Sequence, residues 1–94
     1  MRIENVEIYS DQTNAAIIRH PARRFPGVLI QGDSLHSLCA QADDACAASM
    51  GKLDPDEYFE LNELRNMLWS YLNHYKSVLG GHQIPLPFSE DAGA

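Results

Sequence analysis

The sequence predicts an α+β fold of order β-β-β-α-α, a small antiparallel three-stranded sheet covered on one face by a two-helix hairpin. Three observations predict it. Apolar residues follow strand periods up to Gln31 and helical periods from Leu35 to Leu79, and turn or capping residues punctuate the junctions. A length of 94 residues fits one domain, read as residues 1–88, with a flexible small and polar tail at residues 89–94.

Residues 3–9 alternate, with Val6 and Ile8 on one side and Asn5 and Glu7 on the other, the pattern of a half-buried strand. Ser10 to Asn14 is a turn cluster. Ala15 to Arg19, holding Ile17 and Ile18, predicts a second strand, and the run from Gly27 to Gln31 predicts a third. Between them, Pro21 and Pro26 each fix a φ angle and push the preceding residue toward extended backbone. The loop from His20 to Pro26 is therefore expected to be stiff, with Arg23 and Arg24 at its tip.

Asp33 or Ser34 is the expected cap of the first helix. Its inner face reads as Leu35, Leu38, Cys39, Ala42, Ala45, Cys46 and Ser49, with His36, Gln41, Asp43 and Asp44 outside and Gly51 as the stop. Asp54-Pro55-Asp56-Glu57 is a strong start signal for a second helix running to Leu79 and stopping at Gly80-Gly81. Its inner face reads as Leu61, Leu64, Leu68, Leu72, Tyr75 and Leu79, with Tyr58, Tyr71 and Val78 flanking. The final run from His82 to Phe88 alternates proline with apolar residues, so Ile84, Leu86 and Phe88 are expected to pin it against the body.

Composition excludes several classes. No stretch approaches the ~20 apolar residues of a membrane span, and the N-terminus lacks an apolar signal core, so no membrane association and a cytoplasmic location are expected. The net charge of −6 opposes nucleic-acid binding and favours a basic partner. Cys39 and Cys46 lie seven apart on one helix face, roughly 10 Å along the axis, too far for a disulfide. They read as buried apolar thiols.

Few residues carry a pattern that chemistry needs. The four histidines lack metal-ligand spacing, no serine sits in a nucleophile elbow, and no glycine loop fits a phosphate. No catalytic residue, metal or cofactor is nominated, and enzyme activity is not expected. The concentrated positive charge lies in Arg19, His20, Arg23 and Arg24, which with Gln31 form a candidate anion site through forked hydrogen bonds. Ordinary turn and capping chemistry also accounts for these residues. On the second helix, Asp56, Glu57, Glu60 and Glu63 form an acidic ridge near Trp69, a candidate protein-binding surface. The alternative for Trp69 is an inward-folded ring.

The run from Val6 to Leu38 resembles a family of short uncharacterised bacterial proteins. The resemblance is carried by Asn14, Arg19-His20-Pro21, Arg24-Phe25-Pro26-Gly27 and Gln31-Gly32-Asp33-Ser34-Leu35, and the ending from His82 to Phe88 is similar in style. It implies no activity. Where such relatives favour glycine before the arginine pair, this chain has Ala22, so no unusual backbone angle is expected there. Three functions follow in order. The first is a protein-binding module of immunity or inhibitor type. The second is a small-anion or metabolite site or enzyme on the arginine loop, and the third is a homodimer formed through open sheet edges.

Overall fold

The computed structural model describes residues 1–90. Three strands, β1 (Glu7–Ser10), β2 (Ala15–Arg19) and β3 (Gly27–Ile30), precede two helices, α1 (Gly32–Ser49) and α2 (Pro55–Gly81). This is the α+β order expected. The chain divides into two compact units, residues 1–31 and the residues from Gly32 onward. The segment 91–94 of the expected flexible tail lies outside the described residues.

The first unit is an antiparallel sheet of order β1-β2-β3. Glu7 pairs with Arg19 and Ile8 with Ile18, and the register then slips at Tyr9 so that Ser10 faces Ile17. One extra residue against a regular partner is a β-bulge. The first strand is shorter than the alternation over residues 3–9 suggested. Arg19, the last residue of β2, already faces Glu7, so residues 3–6 have no ladder partner. Proline at position 21 has no N–H to extend that ladder. Between β2 and β3, Ala16 faces Leu29, Ile17 faces Val28 and Ile18 faces Gly27. The third strand ends at Ile30, one residue earlier than expected.

The second unit is an antiparallel helical pair. Its buried hydrophobic residues are Leu35, Cys39, Cys46 and Leu72, and Leu68, Trp69, Tyr75 and Phe88 pack against the cluster of Leu35, Cys39 and Leu72. The inner faces differ from expectation by a rotation. On α1, Leu38 and Ala45 are exposed while His36 and Asp43 are half-buried. On α2, Leu64 is 53% exposed, and Arg65 occupies the inward position instead. The inward residues Tyr58, Leu61, Arg65, Leu68, Leu72, Tyr75 and Leu79 are spaced three and four apart in alternation, the seam of a coiled coil. Sequence reading merged this seam with a second one beside it.

Three local devices build the pair. Gly32 is buried, and a methyl group placed on it would overlap the Tyr75 ring, so a larger residue there must displace the aromatic that packs on the backbone. The helix starts at Gly32, one residue before the expected cap, and Asp33 sits inside the first turn, where its Oδ1 accepts the Ser34 N–H at 2.8 Å. Gly51, at φ 77°, follows the end of α1 as expected. Asp54 caps α2 in a full capping box, its side chain accepting the Glu57 N–H at 2.9 Å while Glu57 accepts the Asp54 N–H at 3.2 Å.

The C-terminus of α2 runs through both glycines rather than stopping before them. Gln83 takes the left-handed conformation at φ 57°, its N–H bonds Gly80 O at 3.2 Å, and the Ile84 N–H bonds Leu79 O at 2.9 Å. This is a Schellman closure with glutamine in the position that glycine usually fills. Beyond it the tail follows the helical unit: Phe88 stacks on His36 with centroids 4.3 Å apart, and Lys76 Nζ lies 2.6 Å from Glu90. Leu86 and Phe88 are partly buried as expected, whereas Ile84 is exposed. Among the described residues no helix is long and apolar enough to cross a membrane.

Candidate functional site

Two surfaces gather the nominated residues, one in each unit. In the sheet unit, the four basic residues of the loop have different employments. The Arg19 side chain pairs through Nε with Glu7 and donates from Nη1 to the Arg23 carbonyl at 2.9 Å. Arg19 thus ties β1 to the loop. The pairing holds the Glu7 carboxyl below its ordinary range and pushes the Arg19 guanidinium up. Arg24 lies over the Phe25 ring at 5.4 Å, a cation–π contact. His20 opens a tight turn closed by the Arg23 N–H on its carbonyl at 2.9 Å, and His20 Nδ1 accepts the Ala22 N–H at 3.0 Å. Ala22 does not take a positive φ, in line with the sequence.

Behind this turn lies an open recess of about 160 Å³. Its apolar lining comes from Ile18, Phe25, Val28 and Leu29, and Gly27, His20 and Arg23 complete it. The register explains the space, because the residue opposite Ile18 is Gly27, which has no side chain. A Cβ on Gly27 would meet nothing within 4 Å. Of the five residues nominated for an anion site, the recess brings His20 and Arg23 together. Arg19, Arg24 and Gln31 do not line it.

In the helical unit, Asp56, Glu57, Glu60 and Glu63 are all exposed on α2, and Glu57 also serves the capping box. Trp69 stands apart from them. It is half-buried against the Leu35–Leu72 cluster, and its Nε1 donates to Asp43 Oδ1 at 2.9 Å. The same oxygen lies 3.7 Å from Arg65 Nε, an ion-pair distance too long for a hydrogen bond. That buried Nε–H therefore has no hydrogen-bond partner among the described residues. Asp43 thus engages two α2 residues one turn apart and marks the register of the helical pair.

The exposed face of α2 holds residues that the sequence reading had not assigned to a site. Leu64, Met67, Tyr71 and Val78 are 53%, 55%, 58% and 42% exposed. With Glu60 and His74 they follow a four-three-four-three-four spacing, a second coiled-coil-like seam on the same helix. The signal was present as a second 3.5-residue period. It was hidden because Leu64 also fits the inner seam within one position.

Cys39 and Cys46 both lie in the helical unit. Both are free and buried, and burial, with a smaller contribution from the Asp43 charge, pushes the Cys39 thiol above its ordinary range. A small α+β protein with a bulged three-stranded sheet, a capped helical pair and a two-proline arginine loop is the class these features define. The chain belongs to DUF6959, a family of unknown function, whose model matches residues 1–88. No curated protein and no solved structure matches it.

Proposed function

We propose that this chain is a cytoplasmic protein-binding module of immunity or inhibitor type, which holds a basic partner protein on the exposed face of α2. The observation that carries the reading is the second seam. Four large apolar side chains stand exposed in a row, beside Asp56, Glu60 and Glu63, for which no ion pair is present among the described residues. Scattered apolar residues on a surface need no explanation, but a periodic row does. An apolar strip flanked by acids matches an amphipathic partner rich in Lys or Arg, with the strip supplying affinity and the acids supplying encounter rate and choice. The net charge of −6 acts in the same direction at longer range.

The test is capture of a stoichiometric partner from the source cell by the full chain, followed by variants. Tyr71→Asp and Met67→Asp are expected to weaken binding at least tenfold, mainly through faster dissociation. Glu60→Lys with Glu63→Lys is expected to slow association and remove its salt dependence. No stoichiometric partner, or a partner indifferent to all four changes, contradicts the proposal.

A second reading is favoured by one observation. The edge strand β3, Gly27-Val28-Leu29-Ile30, is exposed throughout and carries no charge or proline, whereas the β1 edge carries Glu7 and a bulge. Unprotected edges pair readily, so a homodimer through β3 is the competing assembly. Light scattering decides it, since the module reading expects a monomer.

A further inference from the structure

We propose that the recess behind the arginine loop binds a small monocarboxylate that carries a compact apolar body. Every residue that lines the recess belongs to the sheet unit. Its lining is mainly apolar, from Ile18, Phe25 and Leu29 with Gly27 and Val28 of the neighbouring strand, and His20 and Arg23 line it as well. Of the four basic loop residues, Arg19 is engaged by Glu7 and the Arg23 carbonyl, and Arg24 lies over Phe25. The Arg23 guanidinium has no such partner among the described residues, so it is free to fork onto a carboxylate. The Ala22 N–H donates to His20 Nδ1 at 3.0 Å, so Nε2 is the ring nitrogen left to donate, on a second residue that lines the recess.

Size and polarity narrow the ligand. An enclosed cavity of about 150 Å³ admits one benzene ring, so the recess, at about 160 Å³, has room to seat a body of about six carbons. Nucleotides and most cofactors need roughly 300 Å³ or above. Inorganic phosphate would satisfy the donors but leave the apolar lining uncovered. A neutral ring would fill the lining and leave the donors unpaired. The loop is preorganised for the charged head by the closed His20–Arg23 turn, by Pro21 within it and by the Arg19 bond to the Arg23 carbonyl.

The experiment titrates the full chain with benzoate, benzyl alcohol and inorganic phosphate, following the backbone amide NMR shifts of Gly27, Val28 and Leu29. Benzoate is expected to saturate, with the other two at least tenfold weaker. Arg23→Gln is expected to weaken benzoate at least tenfold, and Arg24→Gln to leave it unchanged. Gly27→Val places a side chain in the open space and is expected to abolish binding with the amide spectrum otherwise retained. The proposal is overturned if benzoate fails to saturate or binds no better than benzyl alcohol. It is equally overturned if Arg24→Gln costs as much as Arg23→Gln, or if binding survives Gly27→Val.

Discussion

At the scale of single residues, backbone conformation and close approach set the requirements. Gly32 lies under the Tyr75 ring, and any Cβ there forces the ring to move. Gly32→Ala is expected to destabilise the chain by about 1–3 kcal/mol, the usual cost of overpacking, as read by urea denaturation. The C-terminus of α2 behaves in the opposite sense. Gly80 lies inside the helix with open space around it, and Gln83 holds a left-handed angle that glycine takes without penalty. Gly80→Ala is expected to stabilise by about 0.5–1 kcal/mol, and Gln83→Gly by about 1 kcal/mol, both as rises in Tm. If Gln83→Gly lowers Tm, the left-handed closure is not the one that ends the helix.

Two exposed carboxylates give the acid side of the stability curve. The Glu57 N–H holds the Asp54 carboxyl below its ordinary value of 3.8, and Arg19 holds Glu7 below 4.5. Because the folded values are depressed, both contributions are fully present above the ordinary values and are lost as pH falls through the folded ones. These two groups are therefore expected to add no pH dependence above about pH 5 and to make stability decline below about pH 4. In Asp54→Asn with Glu7→Gln that decline should shrink, and an identical acid limb in the double variant would refute the assignment.

At the scale of elements, most of the fold was legible and the handedness of two faces was not. Capping and turn chemistry is local, so the start of α2 at Pro55, the Gly51 stop and the bounds of β2 could be read from neighbouring residues. The span of β1 could not, because a strand lasts only as long as its partner, and β2 ends at Arg19. The inner face of α2 was misread because the helix carries two apolar seams, and Leu64 and Arg65 are adjacent candidates for one position. Placing an arginine inward looks costly from sequence alone. Asp43 offsets that cost by meeting Arg65 at 3.7 Å while accepting the Trp69 N–H. The Arg65–Asp43 pair remains more than a third exposed, so the ion pair itself contributes little. The Trp69 bond is the stronger link, and a cycle of Asp43→Ala and Trp69→Phe is expected to show a coupling of about 1 kcal/mol. Zero coupling would contradict the role given to Asp43. The candidate site was legible by half. Charge made the arginine loop and the acidic ridge visible, whereas the recess depends on Gly27 facing Ile18, a register fact.

At the scale of the whole molecule, protection is unevenly distributed. Among the described residues all four buried hydrophobics lie on α1 and α2, and none lies on a strand. Hydrogen exchange is therefore expected to be slowest around Cys39 and Leu72 and faster throughout β1 and β3. Equal protection in the edge strands and in the centres of the helices would show a second core that the burial pattern does not contain. The same pattern leaves much apolar surface for contact, and the acidic balance biases which proteins approach it.

Which side of α2 is free decides whether the proposed contact face exists, and thiol labelling reads it directly. In Met67→Cys and Leu68→Cys variants of the full chain, the native Cys39 and Cys46 are buried and serve as slow internal references. The cysteine at 67 is expected to react at the rate of an exposed thiol and the one at 68 far more slowly. Equal protection at both positions, or faster labelling at 68, would contradict the assignment of a free outer seam.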